Sequence, residues 1–194
     1  MNDQDTGLRA RLVAAGVELV TGEGVHALTL REIARHAGVS HGAPRRYFAT
    51  HVELLSAIAR HGFDELAAAL AAADQAAGTG PRERLAALAR AYLDYAAAAP
   101  GMFELMFRHD LLEGSGIGLR QTSLPLFETF TRLVARVRPP SGAEPAAVAG
   151  ALWANLHGLA QLRAWGSLQL ATGGDDIEPL LRAALAAHLG PEER

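Results

Sequence analysis

Two groups of side chains in this 194-residue sequence have the types and spacing to do chemistry. The first is Ser40-His41-Gly42 followed closely by Arg45-Arg46-Tyr47. An arginine fork can bond a guanine edge through two N–H groups, while His, Tyr and the amides at a helix start suit phosphates. The second is Trp153 and His157 with Gly158 behind them. Spacing of four puts the indole and imidazole on one helix face, and glycine admits a close backbone. A neutral imidazole donates one hydrogen bond and accepts another, enough to orient a carbonyl or hydroxyl. Residue type leaves two readings of His157 open, a ligand anchor and a hydrogen-bonded core histidine.

Other chemistries lack their parts. Cysteine is absent, which excludes disulfides, zinc–thiolate sites, iron–sulfur clusters and thiol nucleophiles. His36, His41, His51 and His61 are spaced by five and ten, not by the four that aims two imidazoles one way, and no HExxH occurs. Gly114-Ser115-Gly116-Ile117-Gly118 follows no strand and precedes no lysine, so it reads as a loop and not a phosphate cradle. Ser115 lacks the Gly-x-Ser-x-Gly setting, and no nucleophile–base pair can be placed. Neither a cofactor, a metal nor an enzymatic activity is expected.

Hydrophobic residues at 49% and charged residues at 20% exclude a disordered chain. The formal net charge of −3 alone argues against nucleic acid, but its distribution does not. Residues 1–60 carry a net +1 and four of the eight histidines, whereas the remainder carries −4. Every basic residue is arginine, which reflects base composition and carries no functional weight. The segment Met1 to Gly7 has Asp3 and Asp5 and no apolar stretch, so no secretory signal is expected. The longest all-apolar run, Leu66 to Ala73, is far below a membrane span. A soluble, cytoplasmic protein without membrane contact is expected.

The elements that must position these residues are helical. Leu8, Leu12, Ala15, Leu19 and Val20 share one face of a first helix ended by Gly22 and Gly24. Thr29 with Glu32, and Thr50 with Glu53, have capping-box spacing and open a second and a fourth helix. Between them Gly38 makes a tight turn and Ser40 is expected to cap a third helix ending near Phe48. Long helices follow: about 50–77, 81–99, 100–112, one in which Pro125 is a start or a kink, 145–170, and one capped by Asp175 or Asp176. Pro139-Pro140-Ser141-Gly142 is a break. Nine helices and no strand make an all-α fold.

Ile33-Ala34-Arg35-His36-Ala37-Gly38-Val39-Ser40-His41-Gly42, followed by Tyr47-Phe48 and Leu54-Leu55, resembles the TetR family of bacterial transcriptional regulators. The expected helix count agrees with that family over essentially the whole chain. Trp153-x-x-x-His157-Gly158 is similar to the subgroup that carries this motif in its C-terminal domain. Two positions depart from the family pattern. Pro44 and Arg45 stand where the recognition helix often has an apolar residue and then Tyr, and His51 stands where Lys is frequent. Arg45 could compensate for that lost charge.

The resemblance implies a helix-turn-helix DNA-binding domain at 1–50 and a ligand-binding, dimerising helical body at 51–194. Thr29, Ser40, His41, Gly42, Arg45, Arg46, Tyr47 and His51 are the candidate contacts to a double-stranded DNA operator, with His51 equally readable as a helix-start residue. Phe63, Tyr92, Met102, Phe103, Met106, Phe107, Phe127, Trp153 and His157 are the candidate contacts to a small hydrophobic effector, though residue type alone also makes them core. A homodimer is implied through about 144–189. Ala146, Ala147, Gly150, Ala151 and Ala154 would allow close approach there, and Ile177, Leu180, Leu181, Ala184, Leu185 and Leu189 would supply burial. The implied mechanism is repression by operator occupancy, relieved when the effector changes the separation of the two heads, with activation as the other sign. The rival reading is a helical-bundle enzyme or small-molecule carrier without specific DNA binding, its polar site at His157 or Arg108-His109-Asp110.

Overall fold

Helix boundaries fall largely where the sequence places caps and breakers. A computed structural model describes residues 3–137 and 142–191, so the break expected at Pro139-Pro140-Ser141 lies outside the described residues. Among the described residues there are eleven α-helices, one 3-10 turn and no strand. The chain divides into two units, residues 1–65 with 99–122 and residues 66–98 with 123–194.

The first unit holds α1 (Asp3–Glu23), a 3-10 turn (Val25–Ala27), α2 (Leu30–His36), α3 (Pro44–Tyr47) and the opening turns of α4 (His51–Ala76). Its core takes Leu12, Ala15, Leu19 and Val20 from α1, Ile33 and Ala34 from α2, Phe48, and Leu54, Leu55 and Ile58 from α4. The expected face of α1 is thus the buried one, with Leu8 half-buried at its edge. Gly16 lets α1 lie close to α4, because a Cβ there would come within 2.2 Å of the Ile58 side chain. With α5 (Pro81–Ala98) assigned to the other unit, the chain returns here as α6 (Pro100–Phe107) and α7 (His109–Leu112). The single helix expected over 100–112 is two, because Arg108 at φ −80° and ψ 75° interrupts it.

The second unit is built from the rest of α4, α5, most of α8 (Leu119–Val137), α9 (Pro145–Ala164), α10 (Ser167–Thr172) and α11 (Glu178–Leu189). Pro81 and Pro145 occupy first turns, where a missing N–H costs nothing. Pro125 lies inside α8, which starts six residues earlier. The helix expected to reach about Leu170 stops at Ala164, since Gly166 turns left-handed at φ 72° and α10 begins anew. These two interruptions take the count beyond nine. Asp176 Oδ1 accepts from the Glu178 amide at 3.0 Å, but neither Asp175 nor Asp176 is the expected cap: Ile177 stands at the N-cap of α11, and its side chain bonds no helix amide.

Packing corrects one expectation. Ile177, Leu181, Ala184, Leu185 and Leu189 are buried within this chain, because they share the face of α11 that packs on α9 and α5. Arg84 grips Asp74 through two bonds of 2.6 and 2.5 Å. Arg90 grips Glu178 likewise at 2.5 and 2.8 Å, joining α5 to α11. These arginines hold the Asp74 and Glu178 carboxyls below their usual range.

Candidate functional site

In the first unit, α2 and α3 flank a turn whose geometry follows from local chemistry. Thr29 Oγ1 accepts from the Glu32 amide at 3.2 Å and so caps α2. The reciprocal half of the capping box does not form, because Glu32 pairs with Arg35 at 2.7 Å and the Thr29 amide donates to the Ala27 carbonyl. Gly38 sits at φ 66°, a conformation that costs glycine nothing. The Val39 amide then closes on the Ala34 carbonyl at 3.0 Å.

The third helix is shorter than expected. Ser40 is not its cap: the Ala43 amide bonds the Ser40 carbonyl at 2.9 Å in a preceding turn, and the helix opens at Pro44. Proline has no N–H to lose at a first position and its φ is preset for helix. Ala43, Pro44 and Phe48 turn inward, while His41, Gly42, Arg45 and Arg46 are exposed and Tyr47 is half-buried. The two arginine side chains therefore project from a short element anchored by its apolar side. Neither makes an ion pair within the described residues, so both guanidinium groups face solvent.

Contacts invisible to sequence brace this motif. Arg11 donates to the Ala37 carbonyl at 2.8 Å, and Glu18 lies 2.6 Å from His36 Nε2, so α1 holds the turn from two points. Arg9 stacks over the Phe48 ring at 4.6 Å, adding a third arginine beside α3. Partners 18 to 39 residues apart leave no spacing signature. His51 Nε2 lies 2.7 Å from the Leu28 carbonyl, which ties the start of α4 to the loop before α2. Glu53 reaches the Ala49 amide at 2.8 Å while Thr50 caps the Glu53 amide at 3.1 Å.

The candidate effector residues fall into two groups. In the first unit, Phe107 meets Phe63 edge-on at 5.7 Å and Phe103 at 4.9 Å. Met102 and Met106 are buried and press on Gly62, where any Cβ would clash with both sulfurs. In the second unit, Trp153 Nε1 donates to the Tyr92 hydroxyl at 3.1 Å, and that oxygen lies 2.9 Å from His157 Nδ1. Phe127 packs edge-on to Trp153 at 6.3 Å, and Trp153 stands 5.7 Å from the His157 ring. Burial raises the Tyr92 pKa far above its ordinary value and lowers that of His157, so both are neutral at pH 7. The i, i+4 spacing of Trp153 and His157 foretold their shared face; the phenol that links them came from another helix.

A short, base-presenting helix behind a glycine turn, on an otherwise helical chain, defines a helix-turn-helix regulator. Residues 12–58 match the model of the bacterial regulatory proteins of the tetR family, and residues 85–188 match that of the tetracyclin repressor-like C-terminal domain. The chain belongs to the TetR family: it is a transcriptional regulator and not an enzyme. It is similar to the HTH-type transcriptional regulator BetI of Rhizobium meliloti (strain 1021), 42% identical over 82 residues that cover 42% of this chain and 40% of that protein. The chain thus matches only about two fifths of the length of this curated relative. Among solved structures it resembles a protein of unknown function from Rhodococcus sp. RHA1, with a TM-score of 0.78, 31% identity and coverage of 94% and 93% of the two chains. It also resembles the multidrug binding protein EbrR complexed with imidazole, with a TM-score of 0.62, 25% identity and 96% coverage of each chain. No helix among the described residues is long and apolar enough to cross a membrane.

Proposed function

We propose that this regulator is a cytoplasmic repressor that binds a palindromic operator as a homodimer and is released by a small, largely apolar molecule. Its DNA-binding domain spans residues 1–50 and its ligand-binding, dimerising body spans 51–194. The observation that carries this reading is the pair of unpaired, exposed guanidinium groups of Arg45 and Arg46 on a helix anchored by Ala43, Pro44 and Phe48. In a helix-turn-helix such a helix enters the major groove. Thr29, Ser40, His41, Gly42 and Tyr47 serve the flanking phosphates, and His51, bonded to Leu28, holds the loop that presents Thr29.

Pairing rests on α9, whose Ala147, Ala151 and Ala154 are exposed in line with Leu162 and the 71% exposed Trp165. Small residues at three- and four-residue steps let a second copy approach closely. The effector reading rests on two separate groups, the neutral Tyr92–Trp153–His157 cluster with Phe127 in the second unit, and Phe63, Met102, Phe103, Met106 and Phe107 in the first. The similarity to EbrR, a multidrug binding protein, supports a small organic ligand. An effector can release DNA only by preferring the conformation that cannot span the operator.

Selection of bound sequences from random double-stranded DNA tests the proposal. The expected product is a palindrome with half-site centres about 34 Å or a larger whole-turn distance apart. Failure to enrich any sequence, or enrichment of one asymmetric half-site, overturns it.

A further inference from the structure

The arginines of the first unit differ in what their guanidinium groups touch. Arg11 donates to the Ala37 carbonyl, Arg35 is held by Glu32, and Arg108 is gripped by Asp110. These cations are committed to the fold. Arg9 is not. It is exposed on α1, its guanidinium carbon stands 4.6 Å from the centre of the Phe48 ring, and it makes no ion pair within the described residues. A ring attracts a cation through its quadrupole and leaves the five in-plane N–H donors without an oxygen.

The place of this cation decides what it meets. Phe48 follows directly on α3, at its C-terminal end, and is 1% exposed. With Pro44 it forms the inner side of the element whose outer side carries Arg45 and Arg46. Arg9 therefore stands beside the end of the helix that presents those two arginines. The major groove is about 12 Å wide, so a helix seated in it has the phosphates of both strands along its flanks. A cation beside the helix end meets the backbone there and not a base edge. A guanidinium matches phosphate with two parallel bonds, and one already resting on a ring has less freedom to lose on binding.

We propose that Arg9, held on Phe48, is a phosphate clamp flanking the recognition helix, adding affinity for duplex DNA without reading sequence. This rests on the operator reading above and extends it, since none of the contacts assigned there comes from α1.

The test is the salt dependence of DNA binding by the full chain, on the operator recovered by selection and on a random-sequence duplex. Arg9→Met keeps an unbranched side chain over the ring and removes the charge. Its slope of log affinity against log salt should be shallower by about 0.9 per half-site, a loss of about fivefold per half-site at about 0.15 M salt. The loss should be of similar size on both duplexes. Arg9→Gln, also uncharged, should repeat this result and guards against misfolding of the Met variant. Arg9→Lys should restore the slope. The parent's slope in both uncharged variants, even with weaker binding, would make Arg9 a brace for Phe48 alone and overturn the proposal. So would a loss confined to the operator duplex, or a slope that lysine fails to restore. A parent that binds neither duplex would overturn the operator reading itself, and this proposal with it.

Discussion

The helix-turn-helix and the Tyr92–Trp153–His157 group place their polar side chains in opposite ways. Arg45 and Arg46 point into solvent from a four-residue helix, and only Ala43, Pro44 and Phe48 behind them are buried. Tyr92 is 7% exposed, and its hydroxyl is shared by an indole and an imidazole from α9. In the first arrangement the groups proposed to meet a partner and the groups that hold the fold are different residues. In the second the groups proposed to meet a partner also bond one another within the fold. Substitution should therefore separate function from stability in one region and fail to do so in the other.

The largest effect should come from removing what the exposed arginines stand on. Phe48 is 1% exposed and carries Arg9 on its ring. Phe48→Ala should cost about 3–5 kcal/mol of stability, read as a fall in urea midpoint with operator binding lost alongside. A midpoint within error of the parent would mean that α3 is held by something other than its apolar face.

Replacing the arginines themselves should leave stability alone. Arg45→Ala and Arg46→Ala should each weaken operator binding by about 1–3 kcal/mol where the side chain reads a base, or lower the salt slope by about one where it holds a phosphate. Melting temperature should stay put, since both groups are exposed. Undiminished operator affinity in both variants would remove this helix from the interface.

In the second region Tyr92→Phe keeps the ring and deletes the hydroxyl between Trp153 Nε1 and His157 Nδ1. The cost should be about 1–2 kcal/mol in stability, and the effector response should change in the same protein. Stability lost with an unaltered response would assign the group to the core alone.

The smallest effect is that of pH on this second region. Burial depresses the His157 pKa below its ordinary 6.5, so below that pH the unfolded chain takes up the proton first. Stability present at pH 7 should decline as pH falls from about 6.5 toward the folded value and then level off. The His157→Gln variant should lack this step. A second decline belongs to Asp74 and Glu178, whose folded values are held below 3.8 and 4.5 by Arg84 and Arg90. That contribution is complete above those values and disappears as pH drops through the depressed ones. Stability that is flat from pH 7 to pH 5 in the parent would show that His157 is not shielded from water.

Local chemistry was legible wherever it acts over one or two turns. Thr29 and Thr50 cap the helices they were expected to cap, Gly38 makes the expected turn, and the apolar period of α1 marks its buried side. Ser40 misled because a Ser before a short run reads as a cap, while Pro44, four residues on, sets the helix start. The leucines of α11 misled for another reason. Their spacing showed a face, but periodicity does not say whether that face meets α9 of the same chain or a second copy.

What the sequence by itself determined is therefore the all-α architecture, the helix-turn-helix and its TetR resemblance, all written in residues within about ten positions of one another. Tertiary structure alone decided that α1 braces the turn through Arg11 and Glu18, that Arg9 covers Phe48, that Tyr92 joins Trp153 to His157, and that Leu185 belongs to the chain's own core. The physical reason is that capping and turn energies depend on neighbours along the chain. The partner of a side chain 18 to 65 residues away depends instead on how whole helices pack, and that is settled by the sum of many buried contacts and not by any one spacing.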